Sequence, residues 1–261
     1  ETAALISEIN PKFLLALGDI QYQDGKLADY SKSYGYDTAW GKFKAITKPV
    51  PGNHDYHQTC GEGYFNYFDP SGSGKFGSPC AGYYSFKYGR WLFLAVDSEC
   101  VSVAGSKNCK DTQEGWVTQQ IAANPSMCVA AYWHQPAYTH PGNDVDGHGD
   151  SEDMKTLFKI LYDNHASLVL TGHNHFYSRN YPLDGQGERD DTKGLIQFVA
   201  GGGGAELYTG DTLDKRGIEA VHAAVNGVLK LDFTGNDYTY TYLGIDGRTY
   251  DSGSSMGYCA Q

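Results

Sequence analysis

The sequence predicts a mixed α/β domain, and three observations predict it. Short apolar runs are each halted by glycine or a polar turn, helix-period stretches lie between those runs, and strand-like alternation takes over in the C-terminal part. One pattern repeats: a short apolar strand, an abrupt turn, then a side chain of the kind that binds metal ions.

Glu1 to Ile9 has the spacing of an amphipathic helix. Phe13 to Leu17 is a buried strand that ends at Gly18-Asp19 and so delivers Asp19 at its C-terminal edge. Residues 26–46 alternate polar and aromatic positions and are expected to include helix. Pro49-Val50-Pro51 is a short extended piece running into Gly52-Asn53-His54-Asp55, and a Gly/Ser-rich stretch, 61–82, follows. Residues 83–88 and 91–96 flank Gly89-Arg90 as a β-hairpin, and 111–123 fits a helix capped by Asp111 or Thr112, with Glu114 in its first turn. The apolar run Cys128–Trp133 delivers His134. A helix over 151–164, opened by Ser151, leads to strand 167–171, which delivers Gly172-His173-Asn174-His175. Strand 195–200, a tight turn at the four glycines 201–204 and late strands near 227–233 and 237–243 complete the chain. No repeat or linker divides it, so 1–261 reads as one domain.

With 40% hydrophobic and 20% charged residues, the composition allows a sizeable core. A net charge of −11 and a pI near 5.1 argue against a broad nucleic-acid-binding surface, but do not exclude a phosphorylated substrate, since bound cations can supply local positive charge. No apolar run is long enough to cross a bilayer, and none opens the chain as a signal peptide would. Six cysteines without a C-x-x-C pair point to disulfides in an oxidising compartment, with free thiols as the other reading. The local pairing is Cys60 with Cys80 and Cys100 with Cys109, which leaves Cys128 with Cys259.

Four stretches carry the chemistry: Gly18-Asp19-Ile20-Gln21-Tyr22, Gly52-Asn53-His54-Asp55, Trp133-His134-Gln135-Pro136 and Gly172-His173-Asn174-His175. Alone, Gly-Asp is a common turn, and His134 reads equally as a satisfied core histidine. Two imidazoles at i and i+2 beside glycine can address two adjacent ions. Asn53 is a costly side chain to bury unsatisfied and an uncommon ligand. The four together, each after a short apolar run, point to a metal centre.

In this order the motifs resemble the purple acid phosphatase version of the calcineurin-like phosphoesterase signature, in its secreted bacterial or fungal form. The resemblance implies a four-layer αββα sandwich of two mixed sheets flanked by helices. It implies hydrolysis of phosphate esters, expected to be monoesters, by a hydroxide bridging two metal ions. Asp19 would bridge both ions, Tyr22 and His175 would bind the first, and Asn53, His134 and His173 the second. His54 would face the leaving group and act with Asp19 in catalysis. A phenolate ligand at Tyr22 suits ferric iron, with zinc, manganese or ferrous iron at the second site; packing is the rival reading of Tyr22. Phosphodiesterase or nucleotidase activity on the same scaffold, or a secreted binding protein with a degenerate site, are the alternatives. The setting is expected to be extracellular.

The family pattern includes a further Asp upstream of Gly18-Asp19, whereas the seventeen residues before Gly18 contain none. The expectation is that the strand bearing it belongs to an N-terminal segment outside these residues, with a separate N-terminal fragment of the same protein as a partner. Substitution by Asp251, or a site keeping only the second ion, are the other readings. Substrate contacts are expected from Asn53, His54, Tyr56, His140 and Tyr177, with Asp55, His57, Tyr138 and Asn174 nearby on the same loops. His148 is assigned to an acidic loop, and His165 and His222 to structural roles.

Overall fold

The computed structural model describes residues 1–100, 109–139, 148–208, 217–255 and 259. Along the chain run α1 (Thr2–Ile9), β1 (Leu14–Leu17), a single turn α2 (Tyr36–Ala39), β2 (Thr47–Val50), α3 (Glu62–Phe68), β3 (Tyr84–Tyr88), β4 (Trp91–Ala95), α4 (Cys109–Ala122) and β5 (Cys128–Tyr132). There follow α5 (Glu152–Asp163), β6 (Leu168–Thr171), β7 (Tyr177–Asn180), β8 (Ile196–Ala200), β9 (Ile218–His222), β10 (Gly227–Thr234), β11 (Asp237–Gly244) and β12 (Thr249–Ser254).

A seven-stranded sheet has the order β3-β4-β5-β6-β8-β7-β9, in which β4, β5, β6 and β8 run parallel. Strands β4 and β5 read Trp-Leu-Phe-Leu-Ala and Cys-Val-Ala-Ala-Tyr and are buried throughout, as central parallel strands covered on both faces require. The second sheet layer comes in two pieces, the parallel pair β1–β2 and the antiparallel meander β10-β11-β12. Phe93, Tyr132, Tyr177 and Phe198 of the large sheet meet Val50, Tyr238, Tyr240 and Tyr242 of the second layer in one core. On its other face the large sheet carries α4 and α5 through Val117, Ile121, Leu157, Phe158 and Leu161. Helix α1 covers the second layer, with Ala3 and Ile6 against Leu14 and Val228. The layers are therefore helix, sheet, sheet, helix, as the sequence led us to expect. Among the described residues β1 pairs with β2 alone and β10 with β11 alone, so each keeps one edge without a strand partner.

The expected elements are found within a residue or two, and three differences have physical causes. The Gly/Ser-rich stretch 61–82 contains α3, whose Tyr64, Phe65, Tyr67 and Phe68 are buried; their helical spacing is short and hidden among glycines. Helix α4 starts at Cys109, so Asp111 lies in its first turn rather than at its cap. Strand β7, Tyr-Ser-Arg-Asn, is too brief and polar to show alternation, and its Tyr177 and Arg179 side chains are partnered by Asp251 of β12. The three disulfides pair as expected, and Cys128–Cys259, 131 residues apart, ties the chain's end to β5.

Phe93 is fully buried, with the rings of Phe13, Phe86 and Phe233 at 5.3, 4.9 and 5.2 Å. Truncating a ring so enclosed leaves a cavity shared by both sheet layers. Phe93→Ala should cost about 3–5 kcal/mol of folding stability, read as a lower urea midpoint at unchanged slope.

Candidate metal centre

Each of the four motifs sits where a strand stops. Asp19 follows β1, Asn53 follows β2, His134 follows β5 and His173 follows β6. Because β1 and β2 are parallel, as are β5 and β6, these four ends open onto one edge of the sandwich. The turns are abrupt. Asp19 and His173 hold φ of +51° and +64°, a region that non-glycine residues enter at a cost and mostly at functional positions. Close approach is needed as well: a Cβ at Gly18 would run into the His134 ring, and one at Gly52 into Asp19.

The side chains converge tightly. His134 Nε2 lies 3.3 Å from Asp19 Oδ2, 3.0 Å from Asn53 Oδ1 and 3.1 Å from His173 Nδ1, which is itself 3.1 Å from Asn53 Oδ1. Ligand atoms of Asp19, His134 and His173 all fall within 4.8 Å of one another. On the far side of Asp19, the Tyr22 hydroxyl donates to Asp19 Oδ2 at 3.1 Å and lies 3.2 Å from His175 Nε2. Asp19 Oδ1 accepts the His54 backbone N–H at 2.9 Å.

Backbone carbonyls fix the ring tautomers. His134 Nδ1 donates to Leu17 O at 2.7 Å, and His175 Nδ1 to Glu206 O at 2.8 Å. The neutral His134 ring therefore presents its Nε2 lone pair to a carboxylate, an amide oxygen and a second imidazole nitrogen. The Asp19 carboxylate, the Asn53 oxygen and the His134 Nε2 lone pair repel one another at these distances unless a proton or a metal ion lies among them. The residues fit a cation. Burial alone would lower the proton affinity of His134, yet Asp19 beside it prevails and its pKa is pushed up to about 9, so in the metal-free protein a proton supplies that charge. Burial opposes ionisation of Asp19 too, but His134 and the His54 N–H hold it well below the usual carboxylate range.

Comparison with known proteins gives the family and the fold. The family model for calcineurin-like phosphoesterases matches residues 1–177. The chain belongs to the calcineurin-like phosphoesterase family. It is 25% identical over 237 residues to uncharacterized proteins of Mycobacterium tuberculosis strains CDC 1551 and H37Rv, matching 78% of this chain and 44% of theirs. It thus spans less than half the length of the curated relatives it matches. The fold is similar to that of purple acid phosphatase PPD1 from yellow lupin (Lupinus luteus) seeds, with a TM-score of 0.69 at 19% identity over 97% of this chain and 48% of that one. It is also similar to GAP50, the anchor in the inner membrane complex of Plasmodium, with a TM-score of 0.68 at 14% identity over 97% and 81%. Fold and family are those of metal-dependent phosphoesterases.

Against this family background the structure brings together Asp19, Tyr22, Asn53, His134, His173 and His175. His54 stands beside them, its ring 4.5 Å from that of Tyr22. Two expected substrate contacts point elsewhere. Tyr177 is fully buried in β7, its hydroxyl donating to Asp251 at 2.7 Å and its ring stacked on Tyr242. Tyr56 donates its hydroxyl to buried Asp97. His140 lies outside the described residues. Asp251 is held by Tyr177 and by Arg179 Nε at 2.8 Å, so it does not join the centre.

His148, assigned from sequence to an acidic loop, stacks on His173 with ring centroids 4.6 Å apart. Its Nε2 meets the Tyr208 hydroxyl, and Tyr208 stacks on His175 at 4.6 Å. No local pattern around either residue marks this role.

His134 has a folded-state pKa above its ordinary 6.5, so its contribution is complete below 6.5 and is lost as pH rises to about 9. The metal-free protein should lose thermal stability over that interval, and His134→Gln should remove this pH dependence.

Proposed function

We propose that the chain hydrolyses phosphate esters, monoesters in the first place, at a dinuclear metal centre in an extracellular setting. One observation supports this above the rest: oxygen and nitrogen atoms of Asp19, Asn53, His134 and His173, from four separate strand ends, are packed against one another, with the His134 tautomer fixed by the Leu17 carbonyl. Two bound cations would supply Lewis acidity and lower the pKa of a shared water.

The chain's own residues suit that task. Asp19 reaches both the Tyr22–His175 side and the Asn53–His134–His173 side, as a carboxylate shared by two ions should. Burial and Asp19 together push the Tyr22 phenol well above its ordinary range, so its loss of a proton on coordination calls for a strongly polarising ion. Ferric iron meets that need at Tyr22 and His175; zinc, manganese or ferrous iron suits the neutral Asn53 and two imidazoles. His54 donates Nδ1–H to Gln23 O at 2.6 Å, so its Nε2 would serve the leaving oxygen as proton donor or charge stabiliser only in the doubly protonated ring. His148 is the better candidate for a substrate contact than Tyr56 or Tyr177, whose hydroxyls bind Asp97 and Asp251.

The net charge of −11 favours a small phosphorylated substrate over nucleic acid. Among the described residues no helix is long and apolar enough to cross a membrane, and three disulfides favour an oxidising compartment. The unpartnered edge of β1 favours a further strand, supplied by a separate segment of the same protein.

Asn53→Ala and His173→Ala should each reduce turnover of an aryl phosphate by at least ~100-fold with the fold retained, and unchanged rates would reject the assignment. Metal analysis of the wild type should find two ions per molecule. Its visible absorption band should vanish in Tyr22→Phe; a band that persists means iron is not bound by this phenol.

A further inference from the structure

Asp55 carries a fully buried carboxylate, and among the described residues it forms no ion pair with Lys or Arg. Its oxygens are taken up by backbone N–H groups of two different loops. Oδ2 accepts from Gly52 at 2.9 Å and from Ile20 at 3.1 Å, and Oδ1 accepts from Gln21 at 3.4 Å. Gly52 immediately precedes Asn53, while Ile20 and Gln21 immediately follow Asp19. One side chain therefore joins the two strand-end loops that carry the ligands.

The two carboxyl oxygens between them accept from all three donors. An amide of the same shape must turn its NH2 toward at least one N–H, forcing the loops apart. We propose that Asp55 is a positioning residue that sets the separation of Asp19 and Asn53 and thereby the affinity of the centre for its ions. The inference rests on the metal-centre reading above. Ligand sets lose their grip when displaced by about half an ångström, and residues that orient ligands typically change metal affinity 10–100-fold.

Asp97 provides the comparison. It is equally buried and accepts from Gly82 N at 2.7 Å and Glu99 N at 3.0 Å as well as from Tyr56, but it contacts neither loop next to its ligand. Zinc affinity would be measured by competition with a chromophoric chelator on metal-stripped wild type, Asp55→Asn and Asp97→Asn, at a temperature where circular dichroism shows each folded. We expect Asp55→Asn to bind zinc about 10–100-fold more weakly and Asp97→Asn to stay within a few-fold of wild type. Equal affinity of Asp55→Asn and wild type overturns the proposal and leaves the metal centre standing, as does an equal loss in both variants. A wild type that binds no zinc sinks the metal-centre reading and this proposal with it. Should Asp55→Asn not fold, Asp55→Glu, which keeps the charge but is one methylene too long, is read in the same way.

Discussion

A demand for positive charge at one point organises this molecule. Asp19, Asn53, His134 and His173 aim their lone pairs at a common volume, and carbonyl partners keep His134 and His175 from turning away. Without a cation the arrangement survives by holding a proton on His134 beside Asp19. A proton serves one pair of acceptors, whereas a metal ion serves all of them. A metal ion bound there would relieve the remaining repulsion, and that relief would add to its binding free energy.

The rest of the fold makes that crowding possible. Parallel strands bring their C-terminal ends to one edge, and glycines beside the ligands remove the side chains that would separate them. Unfavourable φ at Asp19 and His173 persists because the strands below are locked into a continuous core from Val50 to Tyr242. Behind the ligands, Asp55 and Asp97 are buried carboxylates that use backbone N–H groups rather than basic side chains as partners. They hold loops, and they do so without adding a positive charge that would compete with a bound ion.

The layers and the set of residues that converge at the strand ends were legible in the sequence because both rest on local signals. A buried parallel strand is a run such as Leu92–Ala95, and a ligand loop is that run cut short by glycine. What could not be read depends on contacts between distant residues. Tyr177 follows His175 so closely that a place at the site edge was the natural reading, yet β7 turns it inward to Asp251, which lies 74 residues away. Tyr56 looked available for the same reason, and only the fold shows Asp97 beneath it. His148 and Tyr208 are the converse: nothing near them signals a site, and only the fold brings their rings against those of His173 and His175. Helix α3 was missed through composition, its four buried aromatics being outnumbered by glycine and serine around them.

Net charge and site chemistry pull in opposite directions, and this sets the order of binding. A chain with a net charge of −11 repels an anionic phosphate ester at distances beyond a few ångströms, more so at low ionic strength. In the metal-free centre Asp19 and protonated His134 nearly cancel, leaving little to overcome that repulsion. Bound cations reverse the local sign and are the largest charges in the site. If the proposed function holds, affinity for a phosphorylated substrate would be contingent on metal occupancy, and by thermodynamic reciprocity a bound phosphate would tighten the metals in return.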